Sequence, residues 1–244
     1  MRIVTQFYVH SEDIQGDVLL LRAEETRHAT KVLRHKKGDL IIASDGSGRS
    51  FEAEIVSTSA DELEARIVKT DIGRNEPKIK VSLAVGLTKG EKMDWLVEKA
   101  TELGVIAIYS FFARYGELKW GKEQIAKNVA RWRRIAVAAF KQSCRSVIPQ
   151  VEVLANLAEV MDRGTDGEIL AAHPVPEAKS VAGSIGTGEK IMGIVGPEGG
   201  FTPEEVSILQ KTGSRLVSLG PRRLRTETAG LILLSQILTV KGEL

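Results

Sequence analysis

The sequence predicts an α/β protein in which a mainly parallel sheet covered by helices follows a smaller β-rich domain. From Lys80 onward, short apolar runs alternate with helical patterns, which is typical of parallel sheets. Before about residue 72, one helical stretch precedes three strand-like runs. A polar segment with Gly and Pro and no periodicity lies between these parts. We therefore predict domains at 1–72 and 79–244, joined by a linker at 73–78.

The N-terminal part has a small barrel-like pattern. A helix is predicted over 23–33, before the first of three strand-like runs. The turn signal Asp45-Gly46-Ser47-Gly48 separates the first two of these runs. The runs lie at 40–43, 51–56 and 63–68.

The C-terminal part contains five buried, apolar runs and three long helical patterns. The strands are predicted at 80–86, 105–111, 168–172, 190–195 and 215–219, and the helices at about 89–103, 122–142 and 225–240. A Gly-rich run at 183–188 has no strand closely before it. We interpret that run as a surface loop and not as a phosphate-binding loop.

Composition excludes several classes of protein. The chain has 244 residues, 34 basic and 32 acidic side chains and one cysteine, Cys144, so no internal disulfide framework is possible. A single cysteine and the absence of a signal-like or membrane-spanning run lead us to expect a cytoplasmic protein with no membrane contact. The missing Cys pairs and H-E-x-x-H motif predict no metal site. P-loop and Rossmann motifs are also absent.

Two loops near the C-terminal end carry the functional signal. Each follows a buried strand and precedes a helical pattern: GPEGGF at 196–201, and LGPRRLRTET at 219–228. Three glycines within five residues let the backbone approach a ligand closely. Thr202 and Glu205 form a predicted capping box with Pro203 at the first helical position. Two such loops after strands that are successive in the sequence predict a ligand site.

These two loops closely resemble the signature of the RsmE family of ribosomal RNA uracil-N3 methyltransferases, which belong to the SPOUT, or trefoil-knot, class. Similarity to that family extends over essentially the whole chain. The resemblance implies an N-terminal PUA-like RNA-binding domain, a knotted C-terminal domain, bound S-adenosyl-L-methionine and a homodimer. It also implies a uridine of small-subunit (16S) ribosomal RNA, or the 30S particle, as the substrate.

The resemblance, with the loop pattern, defines the predicted cofactor and catalytic residues. Arg225 is a candidate to stabilise charge on the uracil oxygens, and Glu227 to accept the N3 proton or orient Arg225. Glu198 either caps backbone N–H groups or contacts the ribose. The predicted cofactor-binding residues are Ala172, His173, Gly196, Glu198, Gly199, Gly200, Leu219, Gly220, Leu224, Arg225 and Thr226.

Local clusters of basic residues predict an RNA-binding surface, although the net charge is only +2. One cluster lies between Arg22 and Lys37 and another between Lys122 and Arg145. Gln6 departs from the family, which usually has an arginine there. The predicted RNA-binding residues are Arg22, Arg27, His28, Arg34, Arg114, Arg131 and Arg145.

The last helix is apolar on nearly every face between Ala229 and Val240, so more than one neighbour must bury it. A subunit interface is a natural second neighbour. We expect charged substitutions at Leu234 or Ile237 to break a homodimer.

Two alternatives stay open. One is a SPOUT methyltransferase with a different RNA acceptor, such as a ribose 2′-hydroxyl. The other is a ribosome-assembly RNA-binding protein without catalytic turnover.

Overall fold

A computed structural model describes residues 5–116, 118–164, 166–175 and 178–244. The contacts divide the chain into two compact units. The N-terminal unit comprises the chain up to Glu76 together with Val137–Ile148, and the C-terminal unit comprises Pro77–Ala136 and Pro149–Leu244. The boundaries predicted at 72 and 79 stay a prediction, but no sequence pattern indicated that 137–148 would join the N-terminal unit.

The N-terminal unit is built on a six-stranded sheet with strand order β1-β4-β5-β6-β3-β2. Strands β1 and β4 are parallel, and the other pairs are antiparallel. A 3-10 turn at Ser11–Asp13 precedes β2. The elements are β1 (Gln6–Tyr8), β2 (Ile14–Gln15), β3 (Val18–Arg22), α1 (Ala23–Arg27), β4 (Leu40–Ser44), β5 (Arg49–Thr58) and β6 (Glu62–Ile72).

Alternating burial along β5 explains how this sheet forms a core. Phe51, Ala53 and Ile55 are buried, whereas the residues between them are partly exposed. The predicted turn between β4 and β5 is present, and the carboxylate of Asp45 accepts a hydrogen bond from Ser47 N at 2.9 Å.

Only the first five residues of the helix predicted over 23–33 are α-helical, namely Ala23–Arg27. After α1, residues His28–Val32 form a π-helical turn. The turn ends before Arg34, whose φ of 60° lies in the left-handed region.

The segment 137–148 is fixed in the N-terminal unit by a buried ion pair. Arg145 is 1% exposed and pairs with Glu76 at 2.5 Å. The same carboxylate accepts hydrogen bonds from Ser146 N at 2.8 Å and Val147 N at 2.9 Å. Glu76, in the predicted linker, is therefore an anchor for a segment about 70 residues away.

The C-terminal unit contains a seven-stranded sheet in which every pair is parallel, with order β11-β13-β10-β12-β7-β8-β9. Sequence periodicity missed β9, α4 and the two-residue β11. The elements are β7 (Lys80–Gly86), α2 (Glu91–Glu102), β8 (Ala107–Phe111), α3 (Lys122–Ser143, which continues into the N-terminal unit), β9 (Gln150–Leu154), α4 (Leu157–Arg163), β10 (Glu168–Ala172), β11 (Lys179–Ser180), β12 (Lys190–Val195), α5 (Pro203–Lys211), β13 (Arg215–Ser218) and α6 (Thr226–Val240).

Helix α6 packs on β7, β12 and α2 within its own unit. A Cβ atom at Gly230 would lie 2.9 Å from Leu96 Cδ1, so glycine permits close packing against α2. Leu234 and Ile237 are fully buried within the protomer. The expectation that these two side chains form a subunit interface is therefore corrected, because their apolar surface is already covered by the protomer's own core.

The structure confirms the predicted α/β class and the mainly parallel sheet. The trefoil knot stays a prediction. Within the described ranges, no helix combines the length and the apolar character that crossing a membrane requires.

Candidate cofactor and active site

A cavity of about 460 Å³ lies at the carboxyl edge of three adjacent parallel strands, β12, β10 and β13. Ala172 is in register with Val195 on one side and Val217 on the other, so the three strands end at the same level. The loops that follow them therefore converge, as in other open parallel sheets. The lining residues are Ala172, His173, Pro174, Val195–Phe201, Val217–Leu224, Thr226 and Ala229.

The first long loop ends in the helix start that the sequence predicts. Thr202 Oγ1 accepts a hydrogen bond from Glu205 N, and the Glu205 carboxylate accepts one from Thr202 N at 2.9 Å. Pro203 opens α5. The capping box fixes the direction in which the chain leaves the cavity.

Glu205 also forms a hydrogen bond with the loop that follows β8. It is only 4% exposed, and its second carboxylate oxygen accepts a hydrogen bond from Arg114 N at 3.0 Å. Arg114 belongs to the loop after β8. A single buried carboxylate thus joins that loop to the loop at 196–202.

The two Gly-rich loops are joined directly. Thr226 Oγ1 donates to the carbonyl oxygen of Gly196 at 3.2 Å, and Arg223 Nη2 donates to that of Glu198 at 3.0 Å. Gly220 has a φ of 109°, which a side chain rarely allows. The loops therefore form one wall of the cavity.

Glu198 forms an ion pair with Lys92 of α2. The hydrogen bond and charge of Lys92, followed by the charges of Arg225 and Lys89, lower the pKa of this carboxyl. Glu198 is 61% exposed, so its carboxylate lies at the outer edge of the cavity. The two roles considered for Glu198, capping of backbone N–H groups and contact with the ribose, both stay predictions.

His173 follows β10, and its ring lies 5.9 Å from that of Phe201. Burial lowers the pKa of His173, because it removes water from the charged form. The imidazole is therefore neutral at physiological pH and adds no positive charge to the cavity wall.

The predicted catalytic pair lies at the start of α6. Arg225 is the N-cap residue and is exposed, whereas Glu227 is 8% exposed. Glu227 Oε2 is buried and accepts no hydrogen bond from the part of the chain that the structure describes. Thr226, between them, lines the cavity, but Arg225 and Glu227 do not. Every other predicted cofactor-binding residue lines the cavity.

The predicted RNA-binding residues of the N-terminal unit differ in their surroundings. Arg27 and Arg34 are exposed, and His28 is partly buried against Phe7. The Arg22 guanidinium forms ion pairs with Asp13 at 2.6 Å and with Glu62 at 2.9 Å.

Arg145 is corrected as a candidate, because its buried guanidinium serves Glu76 and does not reach a surface that RNA could contact. Gln6 is likewise 1% exposed, and its amide donates to the Arg145 carbonyl at 2.6 Å. Of the candidates in the C-terminal unit, Arg131 pairs with Asp94 and Arg114 is exposed.

Sequence reasoning missed several groups at this site. Lys92 and the Arg114 N–H act through tertiary contacts that no local pattern reveals. Pro197, Phe201 and Arg223, by contrast, belong to the two motifs, so their motif position was an available signal.

Two family models match the chain. The RNA methyltransferase domain matches residues 74–238, and the RNA methyltransferase PUA domain matches residues 21–68. The second match agrees with the predicted PUA-like character of the N-terminal part.

Individual proteins agree with the family models. The ribosomal RNA small subunit methyltransferase E of Bacillus subtilis is 32% identical over 225 residues, which cover 89% of this chain and 88% of that protein. Its counterpart from Aquifex aeolicus is 30% identical over 234 residues, covering 93% and 96%.

Solved structures show the same fold. The Neisseria gonorrhoeae ribosomal RNA small subunit methyltransferase E bound to S-adenosyl methionine has a TM-score of 0.82 at 30% identity, covering 97% of this chain and 98% of that one. A Legionella pneumophila methyltransferase in complex with the same cofactor has a TM-score of 0.83 at 30% identity, with 97% of each chain covered. The chain therefore belongs to the ribosomal RNA small subunit methyltransferase E family of RNA methyltransferases, as its two Gly-rich loops predicted.

Proposed function

We propose that this protein transfers a methyl group from S-adenosyl-L-methionine to N3 of a uridine in small-subunit (16S) ribosomal RNA. The observation that carries the proposal is the cavity at the ends of β10, β12 and β13, whose walls are the two motifs of the family. Relatives that span nearly the whole chain are small-subunit ribosomal RNA methyltransferases, and two similar structures contain the cofactor.

The residues present fit this cofactor. A volume of about 460 Å³ lies within the range of small-molecule sites. Val195, Leu219 and Leu224 offer apolar surface, and the turns at Gly196 and Gly220 bring main-chain groups to the wall. We expect such main-chain groups to hold the adenine.

The cofactor supplies an activated methyl group on a sulfonium when it is bound, so the protein contributes mainly alignment and electrostatics. Arg225 stabilises negative charge that passes onto uracil O2 and O4. Glu227 accepts the N3 proton or orients Arg225. Its Oε2 is a buried acceptor with no hydrogen bond from the described residues, which supports a role in taking up a proton.

Recognition of the RNA involves both units in this proposal. N3 lies on the Watson–Crick edge of uracil, so the target base must be unpaired or extruded. Arg27, Arg34 and Arg114 are exposed and suited to phosphate contacts. Arg131 is paired with Asp94 in the structure. It contributes to RNA binding when a phosphate replaces Asp94 as its partner.

The active unit is a homodimer, and the protein acts in the cytoplasm. Support for the dimer comes from apolar residues of α6 that the protomer leaves open: Ile232 is 38% exposed and Val240 is 42% exposed. The cytoplasmic location is supported by the substrate of the proposed reaction, which is ribosomal RNA.

The deciding experiment follows labelled methyl groups from S-adenosylmethionine into 30S particles and into naked 16S RNA, and identifies the modified base. Label at uracil N3 supports the proposal. Label on a ribose 2′-hydroxyl favours the alternative acceptor, and RNA binding without transfer favours an assembly factor.

A further inference from the structure

One exposed aromatic side chain lies beside the cofactor cavity without belonging to its lining. Tyr115, in the loop between β8 and α3, is 55% exposed. A Cβ atom at Gly199 would lie 2.8 Å from Tyr115 Cβ, so the tyrosine packs directly on the cavity loop. Its ring is therefore presented to solvent from a position next to the proposed site of reaction.

The loop that carries Tyr115 is fixed on both sides. Arg114 N donates to the buried Glu205 carboxylate at 3.0 Å, and Gly116 N closes a turn onto the Ala113 carbonyl at 2.9 Å. An aromatic ring presented by a fixed loop loses little conformational entropy when it binds a ligand.

Aromatic contacts are made by residues on either side of Tyr115. Phe112, three residues before it, meets the Trp120 ring edge-on at 6.4 Å, and Trp120 lies 6.1 Å from Trp132 of α3. These rings are used for packing, whereas Tyr115 is left open. Its exposure is thus a property of a well-anchored loop and not of a frayed one.

We propose that the ring of Tyr115 stacks on an unpaired RNA base at the entrance of the cofactor cavity. The inference rests on the proposed function and deepens it by assigning a base contact. A base taken out of its stack loses aromatic neighbours, and an exposed tyrosine replaces one of them. Stacking on an aromatic side chain is tolerant of base identity, so it complements the recognition of N3 inside the cavity. The adjacent Arg114 is placed to meet the phosphate of the same nucleotide.

The test uses two probes of equal length and charge, a single-stranded uridine oligomer and the corresponding oligomer of abasic nucleotides. Binding is measured with S-adenosylhomocysteine present. Wild-type protein should prefer the oligomer with bases, and Tyr115→Leu should lose affinity for it by about 5- to 150-fold. Tyr115→Leu should bind the abasic oligomer as wild type does. Tyr115→Phe and Tyr115→Trp should keep the preference, because both retain an aromatic face.

The binding data would overturn the proposal if wild type shows no preference for bases, if Tyr115→Leu keeps the preference, or if Tyr115→Leu binds both oligomers more weakly by the same factor. Titration with S-adenosylhomocysteine checks that Tyr115→Leu retains its cofactor affinity. If that affinity falls with the preference and Tyr115→Phe restores neither, the tyrosine is structural and the proposal is wrong. A protein that shows the base preference but transfers no methyl group would contradict the proposed activity while leaving the stacking intact.

Discussion

Thr226 donates a hydrogen bond from its hydroxyl to the carbonyl oxygen of Gly196 at 3.2 Å, which joins the first residue of α6 to the loop after β12. Both residues line the cavity, and Thr226 is 3% exposed. The bond satisfies a buried carbonyl group and keeps the two motif loops at a fixed separation. Because 30 residues separate its partners, no local sequence pattern specifies it.

Replacing Thr226 by valine keeps the shape of the side chain and removes its donor. The Gly196 carbonyl then loses a buried partner, which costs about 1–3 kcal/mol. We expect weaker binding of S-adenosylhomocysteine, measured by titration calorimetry. Thr226→Ser, which retains the hydroxyl, is the matched control and should bind nearly as wild type. Equal affinity in wild type and Thr226→Val would show that the bond does not shape the site.

A side chain at Gly199 should damage the site by displacing Tyr115. The Cβ of Gly199→Ala would lie 2.8 Å from Tyr115 Cβ, which is closer than such atoms approach, so one of the two loops must move. We expect reduced cofactor affinity with little loss of secondary structure by circular dichroism. Gly121→Ala is the control, since nothing lies within 4 Å of its added Cβ. A Gly199→Ala protein with unchanged affinity would contradict the prediction.

The Gly-rich run at 183–188 is organised around Glu168 and is not merely an open surface loop. Gly186 N and Gly188 N donate to the carboxylate at 2.6 Å and 2.7 Å, and Arg215 pairs with it at 2.8 Å. Burial alone would raise the pKa of Glu168, but these two hydrogen bonds and nearby positive charges outweigh it. The pKa is lowered from its ordinary value of 4.5.

Because the folded state lowers this pKa, the stabilisation by ionised Glu168 is present above pH 4.5 and is lost as the pH falls through the folded-state value. We expect Glu168→Gln to lower the free energy of unfolding most at neutral pH. The difference from wild type should shrink steadily under acid conditions. Denaturant unfolding at several pH values measures it. A difference that does not change with pH would show that the charge of Glu168 is not what stabilises the run.

Arg34 should contribute to RNA affinity through charge alone. It is exposed, and it follows the π-helical turn with a φ of 60°. Arg34→Ala should weaken RNA binding and lower the slope of log K against log salt by about 0.7–0.9, the share of one phosphate. Cofactor affinity should stay unchanged. Lys211→Ala, at the exposed end of α5 and outside both basic clusters, is the control. Salt slopes that are the same in all three proteins would exclude the contact.

The dimer proposal predicts different outcomes for two charges on α6. Ile232→Glu, at a site 38% exposed in the protomer, should give folded monomers without methyltransferase activity. Leu234→Glu places an unpaired charge in a fully buried position and should unfold the protein. Light scattering beside circular dichroism separates these outcomes. Wild-type protein that is monomeric and fully active would contradict the dimer requirement.

Local sequence determined the parts of this protein that depend on neighbours along the chain. Strands β10 and β12 have the predicted bounds because their buried apolar runs are bounded by turn-forming and polar residues. The capping box of Thr202 and Glu205 follows from a spacing of three residues. The two motif loops likewise identified the family and eight of the ten cofactor-binding candidates that line the cavity, whereas Ala172 and His173 lie at the end of β10.

Only the tertiary structure decided which distant groups meet. In the sequence Arg145 belongs to a cluster of basic residues. In the structure, its ion pair with Glu76 makes it a buried anchor. Leu234 belongs to a helix that is apolar almost all round, but burial by α2 and the sheet leaves only residues such as Ile232 for a partner. The physical reason is common to both cases. Sequence periodicity indicates that a side chain must be buried or paired. Which residue it contacts depends on the packing of segments that are far apart in sequence.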